Sequence, residues 1–127
     1  MAGVTYDTGA LVAGEHNDRR MWALHAGFLA EEVTPVVPAP VLAEAGRGGG
    51  RQASISRLLA LCEVEPMSEA QARRVGLLAT KARHDDIVDV TVVEGAARRG
   101  DAIVTSNTEH IRRIAAAARI TVRIEQT

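Results

Sequence analysis

Aromatic side chains are nearly missing from this chain of 127 residues: Tyr6, Trp22 and Phe28 are the only three. A single-strand binder that stacks bases on aromatic platforms is therefore not expected. There is one cysteine, Cys62, which rules out a disulfide framework and a Cys-rich zinc site. With no His close by in sequence, it reads as a small core residue. Lysine occurs once, as Lys81, against 14 arginines and 22 alanines. That skew resembles a GC-rich coding bias, so arginine clusters carry less functional weight here. No stretch approaches the roughly 18 to 20 apolar residues of a membrane span. The opening MAGVTYDTGALVAGE has neither the basic start nor the apolar core of a leader, and the expectation is a cytoplasmic protein without a membrane partner. Charges of opposite sign nearly cancel, for a net charge of −1, which argues against a protein that simply coats nucleic acid.

What is present is enough apolar residue, 46% of the chain, for the core of one domain spanning 1–127. Ala2–Tyr6 is β-prone and runs into Asp7-Thr8-Gly9, where a helical turn follows. Asp18 is placed to cap a helix to about Ala30, with Met21, Trp22, Leu24, His25, Phe28 and Leu29 at helical spacing. Thr34–Pro38 is extended, and Pro40 fits the first turn of a helix carrying Val41, Leu42 and Glu44. Gly46–Gly50 is a glycine-rich loop, and Ser54–Leu61 reads as a helix. Ser68 and Gln71 form a capping box for a helix with Ala72, Val75, Ala79 and Ala82. His84-Asp85-Asp86 ends it and starts another to about Arg99. Gly100-Asp101 is a turn, Ala102–Thr105 a buried-type strand, Asn107 the cap of a helix to Ala118, and Ile120–Ile124 a closing strand. Strands alternating with helices predict an α/β fold with a mostly parallel sheet. Such sheets carry their sites beyond the carboxyl ends of the strands, and that rule singles out Asp7 and Asn107.

The six aspartates are unevenly placed. Asp7 ends an apolar strand, where an uncompensated carboxylate is costly. Asp89 shares a helix face with Val93, Ala96 and Ala97, and Asp86 lies one turn earlier. Glu44 follows Val41 and Leu42 on a short helix after the second strand. Carboxylates on several elements, each beside apolar sequence, can meet at one end of a sheet. Without Cys or paired His ligands, such a set favours Mg²⁺ or Mn²⁺. An ion of that kind lowers the pKa of a bound water and stabilises charge on a scissile phosphate. The residues leave other roles open. Asp7 could be a helix cap only, Asp89 a salt-bridge partner of Arg83 or Arg119, and Glu44 an ordinary exposed helix residue. Asp18, Asp85 and Asp101 read as caps and turns.

Four fragments, in order, carry a resemblance over the whole chain: VTYDTGAL, APVLAEAGR, HDDIVDVTVVEGA and GDAIVTSNTEHI. Together they resemble the PIN-domain ribonucleases, and specifically the VapC-type toxins of bacterial toxin–antitoxin pairs. The resemblance implies a PIN-like three-layer α/β/α fold and metal-dependent endoribonuclease activity. It implies Asp7, Glu44 and Asp89 as the catalytic, metal-binding acids and Asn107 at a fourth position that is often Asp. Thr105 is the small hydroxyl residue preceding that position, and Asp86 is a further possible metal carboxylate. It also implies Mg²⁺ (or Mn²⁺) as cofactor, RNA as substrate, a homodimer, and inhibition by a cognate VapB-like antitoxin. Asn107 brings one charge fewer than the usual acid, which weakens the case for a second ion.

The remaining features read more plainly. None of the histidines at 16, 25, 84 and 110 is paired at the i, i+4 spacing of a zinc helix, so surface or core roles are expected. The run Gly46-Arg47-Gly48-Gly49-Gly50 fits neither a P-loop nor a dinucleotide fingerprint. Arg47 and Arg51 beside it are candidate RNA contacts, while Arg98-Arg99 and Arg112-Arg113 read as solvated faces. Two other functions compete with the ribonuclease. One is a PIN-like RNA- or protein-binding module with weakened catalysis, made conceivable by Asn107. The other is a phosphomonoesterase, ranked lower because Gly9 stands where such enzymes commonly place a second aspartate.

Overall fold

A computed structural model describes residues 3–46 and 52–127. Among the described residues the strands are β1 (Val4–Tyr6), β2 (Val36–Pro38), β3 (Glu63–Glu65), β4 (Ala102–Thr105) and β5 (Arg123–Gln126). The helices are α1 (Thr8–Glu15), α2 (Arg19–Ala30), α3 (Ala39–Ala45), α4 (Gln52–Leu59), α5 (Glu69–Ala82), α6 (Ile87–Arg99) and α7 (Thr108–Ala117). The sheet order is β3-β2-β1-β4-β5, and every pairing is parallel. Right-handed crossovers put the helices of the β1–β2 and β2–β3 connections on one face. Those of β3–β4 and β4–β5 run the other way across the sheet and cover the opposite face. Accordingly α1 packs on α2, α3 and α4, while α5, α6 and α7 pack on one another. The expected α/β/α layering is present.

The central strands are short and buried on both sides, as parallel strands between helical layers must be. Val4, Tyr6, Val37, Ile103 and Val104 form the middle of the core. Leu11, Met21 and Leu58 close it on one side, and Val75, Val90, Val93, Ile111 and Ile114 on the other. Tyr6 is fully buried, and its hydroxyl meets His25 Nδ1 at 2.8 Å. Burial holds the His25 imidazole below the usual histidine range. Cys62 is half-buried, donates to the Leu58 carbonyl at 3.2 Å, and has its thiol pushed up to about 12 by burial. It is the small, inert packing residue its sequence context implied.

Two strands depart from the sequence expectation. Strand β3, Glu63-Val64-Glu65, has a single apolar residue to announce it. It is an edge strand held by main-chain pairing to β2 and by Arg98 and Arg99, which bridge to Glu65 at 2.7 and 2.8 Å. The closing strand begins at Arg123 and not at Ile120. Ile120 serves the end of α7: its N–H reaches the Ala115 carbonyl at 2.8 Å while Arg119, at φ 56°, donates to Ala116. That left-handed helix terminator consumes the residues that hydrophobicity alone assigns to a strand. Gly100 (φ 75°) ends α6 in the same way and turns the chain into β4.

Arg98 and Arg99 are not simply solvated, which corrects the sequence expectation. Glu94, nearly buried on α6, accepts from Arg74, Arg98 and Gln71 at 3.0–3.1 Å. Arg99 bridges to Asp101, which is buried and also accepts the Thr5 hydroxyl at 2.8 Å. Asp101 is therefore a buried ion-pair partner at the start of β4, more than a turn residue. Gln71 completes half of the expected capping box. Its N–H meets Ser68 Oγ at 3.0 Å, but its side-chain amide turns to Glu94.

Candidate functional site

Three helices start directly at the carboxyl edge of the sheet, where β1, β2 and β4 end, and α6 begins among them. Asp7 leaves β1 in the extended conformation, and its Oδ1 accepts the Ala10 N–H at 2.9 Å, capping α1. The carboxylate is buried. Burial pushes its proton affinity up and the charge of Glu44 adds to that; the Thr105 hydroxyl and the Ala10 and Gly9 amides oppose it without cancelling it. Thr105, at the end of β4 and fully buried, accepts the Asn107 N–H on Oγ1 at 2.9 Å. Its hydroxyl proton is thereby turned away from that amide and is free for Asp7. A side chain at Gly9 would displace Ser106 Oγ and sit 3.4 Å from Asp7 Oδ1, so glycine there leaves room between the ends of β1 and β4.

Asp86 caps α6: its Oδ1 accepts the N–H groups of Val88 and Asp89 at 3.1 and 3.2 Å. Asp89, third residue of the helix, has its carboxyl pushed up to about 7. Burial is the largest cause, followed by the charge and hydrogen bond of Asp86, then by the charges of Asp7 and Glu44. Glu44 stands on α3 beyond β2, half-buried. Asp7, Glu44, Asp86 and Asp89 thus share one electrostatic neighbourhood, although the end of β1, α3, the α5–α6 connection and α6 supply them separately. Among the described residues, no three His, Cys, Asp or Glu side chains stand close enough to ligate one ion together as they are. The carboxylates meet through their fields. An all-oxygen donor set of repelling acids matches a hard divalent cation in donor chemistry and charge.

Asn107 is exposed and is the cap of α7, its Oδ1 accepting the His110 N–H at 3.1 Å. Arg47 and Arg51 lie outside the described residues. The partner of Asp89 is neither Arg83 nor Arg119 but His110, whose Nδ1 lies 2.7 Å from Asp89 Oδ2. His110 in turn meets His84, the two Nε2 atoms 2.6 Å apart. Sequence spacing gave no sign of this histidine pair, because its members are 26 residues apart. One weak signal existed: each stands at a helix boundary beside an expected site residue. The surface grooves along α2 (Arg19, Leu24, Phe28) and between α7 and β5 (Arg112, Ile120, Ile124) are lined by none of the acids.

Comparison with solved structures shows the same fold in chains of three complexes. These are VapBC2 from Rickettsia felis bound to a DNA fragment from their promoter, DNA-bound VapBC from Salmonella typhimurium, and FitAB bound to the IR36 DNA fragment. The Rickettsia match is 18% identical over 98% of this chain and 98% of that one, with a TM-score of 0.74. For Salmonella the values are 20% identity, coverage of 99% and 98%, and a TM-score of 0.71. For FitAB they are 17% identity, coverage of 97% and 94%, and a TM-score of 0.67. No family model and no curated protein matches the chain. At these identities the likeness is one of fold, and that fold is the PIN-like arrangement expected from the sequence. Among the described residues no helix is long and apolar enough to cross a membrane.

Proposed function

We propose that this chain is a metal-dependent endoribonuclease acting as the toxin of a toxin–antitoxin pair. The observation that carries the reading is the shared field of Asp7, Glu44 and Asp89 at the carboxyl edge of a parallel sheet. The charge of Glu44 raises the proton affinity of Asp7, and the charges of Asp7 and Glu44 raise that of Asp89. A fold that places carboxylates so that they repel one another loses stability at that point, which is the mark of a site built to receive a cation. Asp7, Glu44 and Asp89 are the residues that would hold Mg²⁺ or Mn²⁺, with Asp86 beside them and Asn107 contributing a neutral amide. When bound, such an ion activates water and stabilises charge developing on a phosphodiester. The chain's own part is to fix the acids. The Ala10 amide holds Asp7 at the mouth of α1, Thr105 supports it from β4, and the α6 cap holds Asp86 beside Asp89. RNA is the proposed substrate, a cognate antitoxin the proposed inhibitor, and a homodimer the proposed assembly. The DNA-bound toxin–antitoxin complexes of the same fold support the class.

One observation favours the weakened-module reading: Asn107 is occupied as a helix cap and supplies no charge. The experiment that separates the readings incubates the purified chain with a mixed RNA pool in Mg²⁺, Mn²⁺ or chelator, beside a generic phosphomonoester. Cleavage of RNA that depends on the metal supports the nuclease. RNA binding without cleavage in either metal supports the module, and hydrolysis of the monoester alone supports the phosphatase.

A further inference from the structure

The histidine pair behind Asp89 is not accounted for by an acidic metal site. His84 is placed by the end of α5: Arg83 takes φ 50°, and the His84 N–H closes on the Ala79 carbonyl at 3.0 Å. His110 is the third residue of α7, its backbone fixed by the Asn107 cap. The two rings are tilted by 49° with centroids 4.5 Å apart. Both remaining ring nitrogens are engaged as well. His84 Nδ1 meets the Asp86 N–H at 3.2 Å, and His110 Nδ1 meets Asp89 Oδ2 at 2.7 Å.

This row of groups has one consistent direction when both rings are neutral. A peptide N–H only donates, so His84 Nδ1 accepts and the ring carries its proton on Nε2. That proton faces His110 Nε2, which must accept, leaving the His110 proton on Nδ1. His110 Nδ1–H then donates to Asp89 Oδ2. Reversing any later link puts two donors or two acceptors face to face, and the Asp86 amide at the head of the row cannot reverse. We infer that His84 and His110 are positioning residues, relaying a fixed hydrogen-bond polarity from the Asp86 amide to the Asp89 carboxylate. The relay ties α6 to α7 and holds Asp89 as an acceptor in a set orientation. The role in metal binding rests on the function proposed above, whereas the ring polarity does not. Loss of an outer hydrogen-bond partner of a ligating group typically lowers metal affinity about ten- to hundredfold.

Nitrogen-15 NMR of the full chain at pH 8, above the ordinary histidine range, reads the polarity directly. The expected pattern is protonated nitrogens at His84 Nε2 and His110 Nδ1, with unprotonated ones at His84 Nδ1 and His110 Nε2. The opposite tautomer on either ring overturns the relay. Two variants then separate positioning from bulk stability. His110→Asn keeps a donor where Nδ1 stood, facing Asp89; His110→Gln places its amide near the Nε2 position, facing His84. Calorimetric Mg²⁺ binding is expected to be within about threefold of wild type for His110→Asn and about tenfold weaker for His110→Gln. A His110→Gln protein that binds Mg²⁺ as tightly as wild type overturns the positioning role. If the wild type itself does not bind Mg²⁺, the metal reading falls and the ring-nitrogen pattern alone decides the relay.

Discussion

Asp7 Oδ1 accepts the Ala10 N–H at 2.9 Å, so the most buried carboxylate of the site is also the cap of the helix that follows it. The two roles separate by substitution. Asp7→Asn keeps a capping oxygen and removes the charge, whereas Asp7→Ala removes both. An N-cap lost to Ala costs about 1 kcal/mol. Asp7→Asn is expected to melt at or above the wild-type temperature without metal, and Asp7→Ala several degrees below Asp7→Asn. Circular dichroism melts in chelator check this; an Asn variant that melts below the Ala variant contradicts it.

Asp89 makes stability depend on pH in a defined direction. The unfolded residue titrates near 3.9 and the folded one at about 7. Between those values the folded chain holds the extra proton, so stability falls as pH rises from about 4 to about 7 and levels off above. Asp89→Asn removes that slope. In chelator at pH 8 its Tm is expected to exceed wild type by about 3–5 °C, the shift of ~1 kcal/mol in a chain of this size, with the gap closing toward pH 4. A variant that melts below wild type at pH 8 would make Asp89 a structural ion-pair partner of His110.

Further along α6, Glu94 behaves in the opposite sense. Burial pulls its carboxyl up, but hydrogen bonds from Arg98, Gln71 and Arg74 outweigh it and hold it below the ordinary range. The folded pKa is depressed, so the stabilisation is present above about pH 4.3 and is lost as pH falls through the folded value. Glu94→Ala leaves Arg74, Arg98 and Gln71 without their shared acceptor. The expected loss is ~2 kcal/mol, below the usual range for a broken buried pair because both arginines are partly solvated. Urea denaturation at pH 7 measures it, and a change under ~0.5 kcal/mol would show the network to be dispensable.

Asn107 offers a gain-of-charge test. Asp is an equally good cap, so Asn107→Asp keeps α7 intact while adding a carboxylate beyond β4. The Mg²⁺ concentration for half-maximal RNA cleavage is expected to fall by about tenfold or more, since a carboxylate ~4 Å from a divalent ion gains ~2 kcal/mol even at the dielectric constant of water. Asn107→Ala is expected to reduce cleavage less than Asp7→Ala does. An unchanged titration for Asn107→Asp would confine Asn107 to capping α7.

The parallel α/β organisation was legible because β1 and β4 are short apolar runs with a capping residue close behind: Asp7 directly after Tyr6, and Asn107 two residues after Thr105. The edges were not, since β3 is made of Glu63, Val64 and Glu65, and its pairing comes from the main chain and from Arg98 and Arg99. For the site, Asp7 and Asp89 could be named because acids beside apolar sequence are costly to place, whereas Glu44 was singled out only through the resemblance of APVLAEAGR to the family. His84 and His110 could not, because nothing local to either residue specifies a partner across two helices. Nor could the burial of Asp101, whose neighbours Thr5 and Arg99 come from β1 and α6.

Single-turnover cleavage of RNA in Mg²⁺ by wild type, Asp7→Asn, Glu44→Gln and Asp89→Asn, each first shown to be folded, bears most directly on the acidic site. Wild-type cleavage is expected to vanish in chelator and return on adding Mg²⁺ or Mn²⁺. Each variant is expected to lose at least about a hundredfold in rate, the scale of losing one strong electrostatic contribution at a reacting phosphate. Cleavage that survives chelation, or a variant that cuts at the wild-type rate while folded, would contradict the account.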